Sequence, residues 1–354
     1  MSIMRRLWRI SSAGSLDRLK LVEEALPDPP PGEARLRVEA VGLNFADVFA
    51  CQGLYSATPS GTFTPGLECA GVVEALGPAR PEEPAPAIRV GDRVAVLTRF
   101  GGYATALNFD LRYAVPFPAA WSTAEAAAWP VQALTAWYGL VPLGGLRPGQ
   151  CVLVQSAAGG VGLQALSMIA ALGARAIATV GTGDKRQFLV RERGLDPATV
   201  IVRDRRRFGA QLDAALAAAG APGLDLVLDA VLGPFFRPAF ERLAPEGRYV
   251  LFGAADYMGG GARPNYLSLA WRWLLRPRLD PLAMISANRS FMAFNLIWLW
   301  EAVDRAPAAI EAIRALSKEP PLVGERLPFE QAPEAMRLLQ SGRTVGKVVL
   351  EVRP

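Results

Sequence analysis

The chain of 354 residues contains no histidine. That removes the commonest metal ligand and the side chain that usually trades protons near neutral pH. Ser–His–Asp and Cys–His catalysis are excluded, as are zinc sites built on His. Cysteine is scarce too: Cys51, Cys69 and Cys151 form no C-x-x-C pair, so no Cys-only zinc site is expected. An odd count of scattered thiols suits a reducing cytosol, and a cytoplasmic protein is expected. No uninterrupted apolar run is long enough to span a bilayer. Met1 to Ile10 carries Arg5, Arg6 and Arg9 with no apolar core behind them, so a secretory leader is not expected. Charge is modest, at +5 overall. A basic run at Arg203, Arg205, Arg206 and Arg207 reads as a solvated loop face, a phosphate clamp or a nucleic-acid patch. Interleaved aromatics and a nucleic-acid module are missing around it, which argues against nucleic acid. The chemistry left open uses a cofactor, Tyr, Lys, a carboxylate or water.

The stretch VLVQSAAGGVGLQALSMIAALGA at 152–174 is the most informative present. Val152 to Val154 reads as a buried strand, and a glycine-rich turn leads into an apolar helical pattern ending near Gly173. Glycines let backbone approach a pyrophosphate, and the helix start favours its charge. The strict G-x-G-x-x-G spacing is absent, so the context matters more than the motif. An ordinary tight turn is the competing reading. Further units follow: strands at 175–180, 200–202, 224–229 and 248–252, with helices at 184–193, 208–219 and 235–243. This alternation predicts βαβ units in a doubly wound parallel sheet.

The first part differs. Arg35 to Val41 alternates polar and apolar, Ala70–Ala75 and Arg93–Leu97 are short strands, and Gly and Pro bound them. A barrel-like β domain is expected. Pro78 to Pro86 reads as an exposed loop. Ser122-Thr123-Ala124-Glu125 is a capping box, and the domain boundary is placed there. The closing strand at 347–352 is expected to return to the first β domain. The expected fold is therefore α/β, with residues 1–122 and 296–354 forming one discontinuous domain and 123–295 the other.

Gly42-Leu43-Asn44-Phe45-Ala46-Asp47, Gln52-Gly53-Leu54-Tyr55, Pro65-Gly66-Leu67-Glu68-Cys69-Ala70-Gly71, Gly91-Asp92-Arg93-Val94 and the AAGGVG turn resemble the zinc-independent medium-chain dehydrogenase/reductases. Within them the chain is most similar to the zeta-crystallin-like quinone oxidoreductases. Ala287-Asn288-Arg289, Ala335-Met336 and Val345-Gly346-Lys347-Val348-Val349-Leu350 resemble the synaptic vesicle amine transport protein homologues. The resemblance spans nearly the whole chain. It implies a GroES-like catalytic domain, a Rossmann domain, bound NADPH and a dimer. It also implies lost metal sites: Asn44 and Leu67 stand where zinc-dependent relatives carry ligand Cys and His, and the cysteine-rich lobe is replaced by Phe100-Gly101-Gly102-Tyr103. Cys69 departs from the usual Gly and reads as a small buried hydrophobe.

The resemblance places cofactor contacts at Asn44, Thr135, Ala158, Gly159, Gly160, Val161, Gly181, Thr182, Lys185, Arg203, Phe252, Gly253 and Arg343. The strand before Gly181-Thr182 ends without the acid that NAD-selective folds use. Lys185 falls where relatives hold the 2′-phosphate, and Arg203 where they often carry a Tyr. Asp184 is the opposing signal and reads as a helix cap. Hydride addition to a quinone or activated alkene leaves charge on oxygen. Tyr55, in a G-x-Y pattern similar to that of enoyl-thioester reductases, and Asn44 are the candidate catalytic donors; a cleft-lining role for Tyr55 stays open. Asp47 reads as a structural hydrogen-bonding residue. No group with an unperturbed pKa near neutral is expected to take part.

The expected function is NADPH-dependent, metal-independent reduction of a small apolar quinone or α,β-unsaturated carbonyl. A tailoring reductase with a private substrate and a non-catalytic protein that binds lipid or a partner are the alternatives. An aromatic stretch carries Tyr266, Trp271, Trp273, Phe291, Phe294, Trp298 and Trp300 with Arg272, Arg276 and Arg278. It suits a core and dimer interface, a wall of the substrate cleft, or contact with a membrane surface. The first two are compatible and predict a homodimer with a bulky acceptor.

Overall fold

The computed structural model describes residues 2–80 and 87–353. Residues 81–86 of the expected Pro78–Pro86 loop lie outside the described residues. The strands in chain order are β1 (Ile3–Ile10), β2 (Leu19–Leu26), β3 (Glu33–Gly42), β4 (Glu68–Leu76), β5 (Arg93–Leu97), β6 (Ala106–Asp110), β7 (Ala114–Pro116), β8 (Cys151–Val154), β9 (Arg175–Val180), β10 (Val200–Val202), β11 (Leu224–Asp229), β12 (Leu243–Leu251), β13 (Ser290–Ala293), β14 (Val323–Pro328) and β15 (Lys347–Glu351).

Strands β8 to β13 form one parallel sheet in the order β10-β9-β8-β11-β12-β13. That is the 3-2-1-4-5-6 order of a dinucleotide-binding fold, whose switch point falls between β8 and β11. All four residues of β8 are buried, as expected of a strand covered by helices on both faces. The Gly160–Ala171 helix follows β8 and packs on both β8 and β9. The chain then runs along the ends of the strands: Gly181 after β9, Arg203 after β10, Phe252 and Gly253 after β12, Asn295 after β13.

The other half is antiparallel except at its edge. β3 carries β4 along one side and shares the other between β6, at residues 33–37, and β15, at 40–42. β15 therefore does return to the first β domain, where β14 joins it in parallel. The β1–β2 hairpin was not legible, because its first ten residues read only as a basic start. It caps the sheet through bridges from Leu7 to Ala104 and Ile10 to Phe63. The capping box forms as expected: Ser122 Oγ accepts from Glu125 N and the Glu125 carboxylate accepts from Ser122 N.

Three differences from the sequence reading have local causes. β12 starts at Leu243 rather than near 248, and the helix before it stops at Glu241, because Leu224 pairs with Leu243 at the start of the ladder. The first-turn cap of the Gly183–Arg193 helix is Thr182, whose hydroxyl accepts from Lys185 N, and Asp184 is exposed beside it. The Tyr266–Leu274 helix is not core. Tyr266, Leu267, Trp271, Trp273 and Leu274 are exposed, Leu267 by 86%. No helix among the described residues is long and apolar enough to cross a membrane.

Candidate active site

The glycine turn is set by contact, not by flexibility alone. A Cβ on Gly162 would lie 2.5 Å from the Ser156 carbonyl, so backbone packing holds that position to glycine, while a side chain at Gly160 would displace Gln132 Oε1. Gly159 is the helix N-cap and supplies no side chain, which leaves the first turn of the Gly160–Ala171 helix uncapped by protein side chains. Ala158 is buried and Val161 half-buried. An uncapped helix start is an anion site.

At the ends of β9 and β10 two cations converge. Lys185 Nζ donates to the Gly342 carbonyl at 2.6 Å. Arg203 donates to Thr179 Oγ1 at 3.0 Å and lies over the Phe235 ring. Its guanidinium is 3.8 Å from where a Gly181 Cβ would stand. Burial lowers the Lys185 amine to about 8, and Arg203 pushes it the same way. Burial also lowers Arg203 to about 10, with Asp229 and Asp256 opposing. No carboxylate offsets Lys185, so a phosphate beside Gly181 would relieve both charges. Arg343 is exposed, next to the Gly342 carbonyl that holds Lys185. The rest of the basic run is surface: Arg205 pairs with Asp256, and Arg206 and Arg207 are exposed.

At the other end, Tyr55 crosses the cleft. Its hydroxyl donates to Asn295 Oδ1 at 2.7 Å, and Asn295 Nδ2 and Trp298 Nε1 both reach Ser56 Oγ at 3.3 Å. Burial raises the Tyr55 hydroxyl to about 12. Phe252 stacks against Phe294, and Thr135 is buried on the Pro130–Tyr138 helix.

Between the ends lies a buried polar cluster that sequence reasoning found only in part. Asn44 Oδ1 accepts from Gln132 Nε2 at 2.7 Å and from Lys347 Nζ at 2.8 Å. Asn44 Nδ2 donates to Glu68 Oε1 at 3.0 Å, and Lys347 Nζ donates to the same oxygen at 2.6 Å. Glu68 Oε2 accepts from Val131 N. Asn44 thus uses its amide inside the protein, with its second hydrogen near the Gly42 carbonyl. Glu68, Gln132, Lys347 and Asn295 were not singled out from the sequence. The available signal was an acid at the first residue of β4 and a cation at the first residue of β15, each leading into an apolar run. Burial pushes the Lys347 amine below its usual range, and Glu68 beside it pulls it back.

Asp47 has the structural role expected of it. Its Oδ2 accepts from Asn44 N at 2.8 Å and from Tyr103 OH at 3.3 Å. Burial raises its carboxyl to about 7, so a group titrating near neutral does exist, which an argument from unperturbed pKa values could not find. Leu67 and Cys69 are buried, and burial raises the Cys69 thiol. Among the described residues no group of three His, Cys, Asp or Glu could hold a metal.

A sheet open at its switch point, with a glycine turn on one side and an antiparallel half supplying a hydroxyl on the other, is the plan of a two-domain nucleotide-dependent oxidoreductase. Known proteins agree. Residues 30–119 match the alcohol dehydrogenase GroES-like domain, and residues 198–350 match the model described as zinc-binding dehydrogenase. The chain is 32% identical over 349 residues to the synaptic vesicle membrane protein VAT-1 homolog of Danio rerio, covering 98% of this chain and 69% of that protein. Its fold is similar to mycobacterial Rv1454c complexed with NADPH, at TM-score 0.80 and 28% identity, covering 98% and 99% of the two chains. It is also similar to the quinone oxidoreductase from Thermus thermophilus, whose structures include a complex with NADPH, at TM-score 0.73 and 30% identity over 98% and 99%. The chain belongs to the medium-chain dehydrogenase/reductase family of oxidoreductases.

Asp47 gives a test of the cluster. Its folded pKa is raised, so the folded state binds more protons than the unfolded state between the usual value, 3.8, and about 7. Stability from this group is therefore lost as pH rises through that window. Asp47→Asn keeps both hydrogen-bond acceptances and removes the charge. The difference in melting temperature, variant minus parent, should grow from pH 5 to pH 8. A difference independent of pH would show that Asp47 is ionised throughout.

Proposed function

We propose that the protein is an NADPH-dependent, metal-independent reductase of quinones or α,β-unsaturated carbonyls. The observation that carries this reading is the pair Lys185 and Arg203, two half-buried cations at Gly181 with no acid at the end of β9. The uncapped Gly159–Gly160 helix start suits a pyrophosphate, and Phe252 and Gly253, just after β12, suit the nicotinamide half of the same dinucleotide. Solved relatives bound to NADPH add support. When bound, NADPH supplies the hydride.

The protein's own residues do the rest. Lys185 and Arg203 grip the 2′-phosphate, with Thr182 and Arg343 at the edge of that site. Ala158, Gly159, Gly160 and Val161 hold the pyrophosphate by backbone, and Thr135, Phe252 and Gly253 border the nicotinamide end. Tyr55 donates its proton to the acceptor oxygen as charge develops there, exchanging its bond to Asn295 for one to substrate. Its raised pKa keeps the hydroxyl protonated over the working range. Asn44 contributes through the buried cluster. With no histidine, and with Asn44 and Leu67 at the positions of family metal ligands, no metal is needed for this chemistry. Buried free thiols at Cys51, Cys69 and Cys151 suit a reducing cytosol.

We also propose a homodimer. β13 is the outer strand of its sheet, and the exposed Tyr266–Leu274 and Pro281–Ala287 helices lie beside it in the chain, with Leu282 and Ile285 exposed as well. A second copy covering this face would bury that apolar surface. Light scattering at micromolar concentration should give twice the chain mass of 37.9 kDa; a mass of one chain would refute the dimer.

The activity is tested by NADPH oxidation with a panel of quinones and enones in the presence of a metal chelator. Turnover is expected with at least one bulky apolar acceptor. Lys185→Ala should weaken NADPH by about tenfold or more and leave NADH nearly unchanged. Parental NADPH affinity should hold below pH 8 and fall above it, as the Lys185 ammonium loses its proton. Tyr55→Phe should lower kcat by about a hundredfold and leave NADPH affinity intact. Equal use of NADH and NADPH, or a Phe variant with parental kcat, would contradict these assignments.

A further inference from the structure

One dipeptide touches both halves of the site. Gly346 N donates to the Ala158 carbonyl in the glycine turn at 2.8 Å. The next residue, Lys347, turns its side chain into the catalytic half, where it bonds Asn44 and Glu68. Gly346 has φ +69°, and a Cβ there would lie 2.4 Å from the Leu322 carbonyl, so the position calls for glycine. A second bridge runs alongside: Gln132 lies against Gly160 and bonds Asn44. The turn and Asn44 are therefore joined twice.

The donor chemistry fixes Asn44 in one orientation. An ammonium donates only and a carboxylate accepts only. Lys347 must face Asn44 Oδ1, and Glu68 must face Nδ2. Lys347 is 3% exposed and Glu68 fully buried. A buried ion pair seldom adds stability over apolar residues of the same volume. Its use here is better explained by geometry than by stability.

The geometry points to Lys347 as a positioning residue for hydride transfer: its ammonium, clamped between Asn44 and Glu68, holds the catalytic half in register with the glycine turn. This rests on the reductase reading above. Lys347 touches no reacting atom; it acts through Asn44 and through the Gly346–Ala158 bond. Losing it lets Asn44 turn and the two halves shift at the nicotinamide end, while the phosphate grip at Lys185 and Arg203 stays.

The test uses the full chain. Lys347→Met alone would leave Glu68 buried without a partner, so it is combined with Glu68→Gln to give a neutral pair of similar size. The double variant should bind NADPH within about threefold of the parent, measured by energy transfer from tryptophan to the nicotinamide. The emission anisotropy of the bound nicotinamide should fall. The kcat should drop by about a hundredfold, the loss expected from roughly 1 Å of misplacement, with little change in acceptor KM. Parental anisotropy and kcat in a folded double variant would overturn the proposal. If the double variant does not fold, Lys347→Arg decides: lowered anisotropy and kcat support it, and parental values overturn it. A parent that binds NADPH but reduces no acceptor ends the reductase reading, and anisotropy alone then decides whether Lys347 positions the ring.

Discussion

The bond from Gly346 N to the Ala158 carbonyl is the contact on which the rest of the site depends. It joins the start of β15, in the antiparallel sheet, to the turn after β8, in the parallel sheet. Each sheet has its own ladders, and one buried core cluster spans both, with Ala40, Ala70 and Val115 in the same cluster as Val152 and Val154. Nothing in either ladder fixes one sheet against the other. That task falls to the shared apolar core and to polar contacts at the seam, among them those of Gly346, Lys347 and Gln132, the bond from Lys185 to the Gly342 carbonyl, and the latch of Tyr55 and Ser56 on Asn295. Gly346, Lys347, Gln132 and Asn295 lie at strand ends or helix starts, where backbone groups are left free by regular structure.

Charge is distributed to match. Two half-buried cations collect where a phosphate would enter: Lys185, with no carboxylate beside it, and Arg203, which Asp229 and Asp256 offset only in part. The buried cation at Lys347 is instead fully matched by Glu68. The same residue type thus serves two ends, and burial with or without a partner decides which. In a chain without histidine, burial also does what imidazole usually does. It brings Asp47 to about 7 and Lys185 to about 8, two groups responsive near neutral pH whose ordinary values lie far from it.

The parallel half was almost entirely legible. Its strands are short, apolar and separated by helical spacing, so β8 to β11 fall within a residue or two of the sequence reading. The crossover rule gave the doubly wound plan, and the strand order is read from the structure. The antiparallel half was less legible because its pairings are distant in sequence. β1 pairs with β2, and β15 with β3, through registers that no local pattern announces. At the site, Lys185, Arg203, Tyr55 and the glycine turn stood out by motif. Glu68 and Lys347 did not, because a buried ion pair is defined by two residues 279 apart. Asn295 was hidden for the same reason: it matters only because it faces Tyr55 across the cleft. The Tyr266–Leu274 helix shows the opposite case, an apolar pattern that the single chain leaves uncovered.

Isotope transfer tests the central claim most directly. Parent protein would be incubated with NADPH deuterated at the transferring C4 position and an enone that it turns over, and the product examined by NMR. One deuterium at the carbon β to the carbonyl is predicted, with the proton at the α carbon drawn from solvent. Product without deuterium, or NADPH bound and never oxidised by any enone or quinone, would contradict the account.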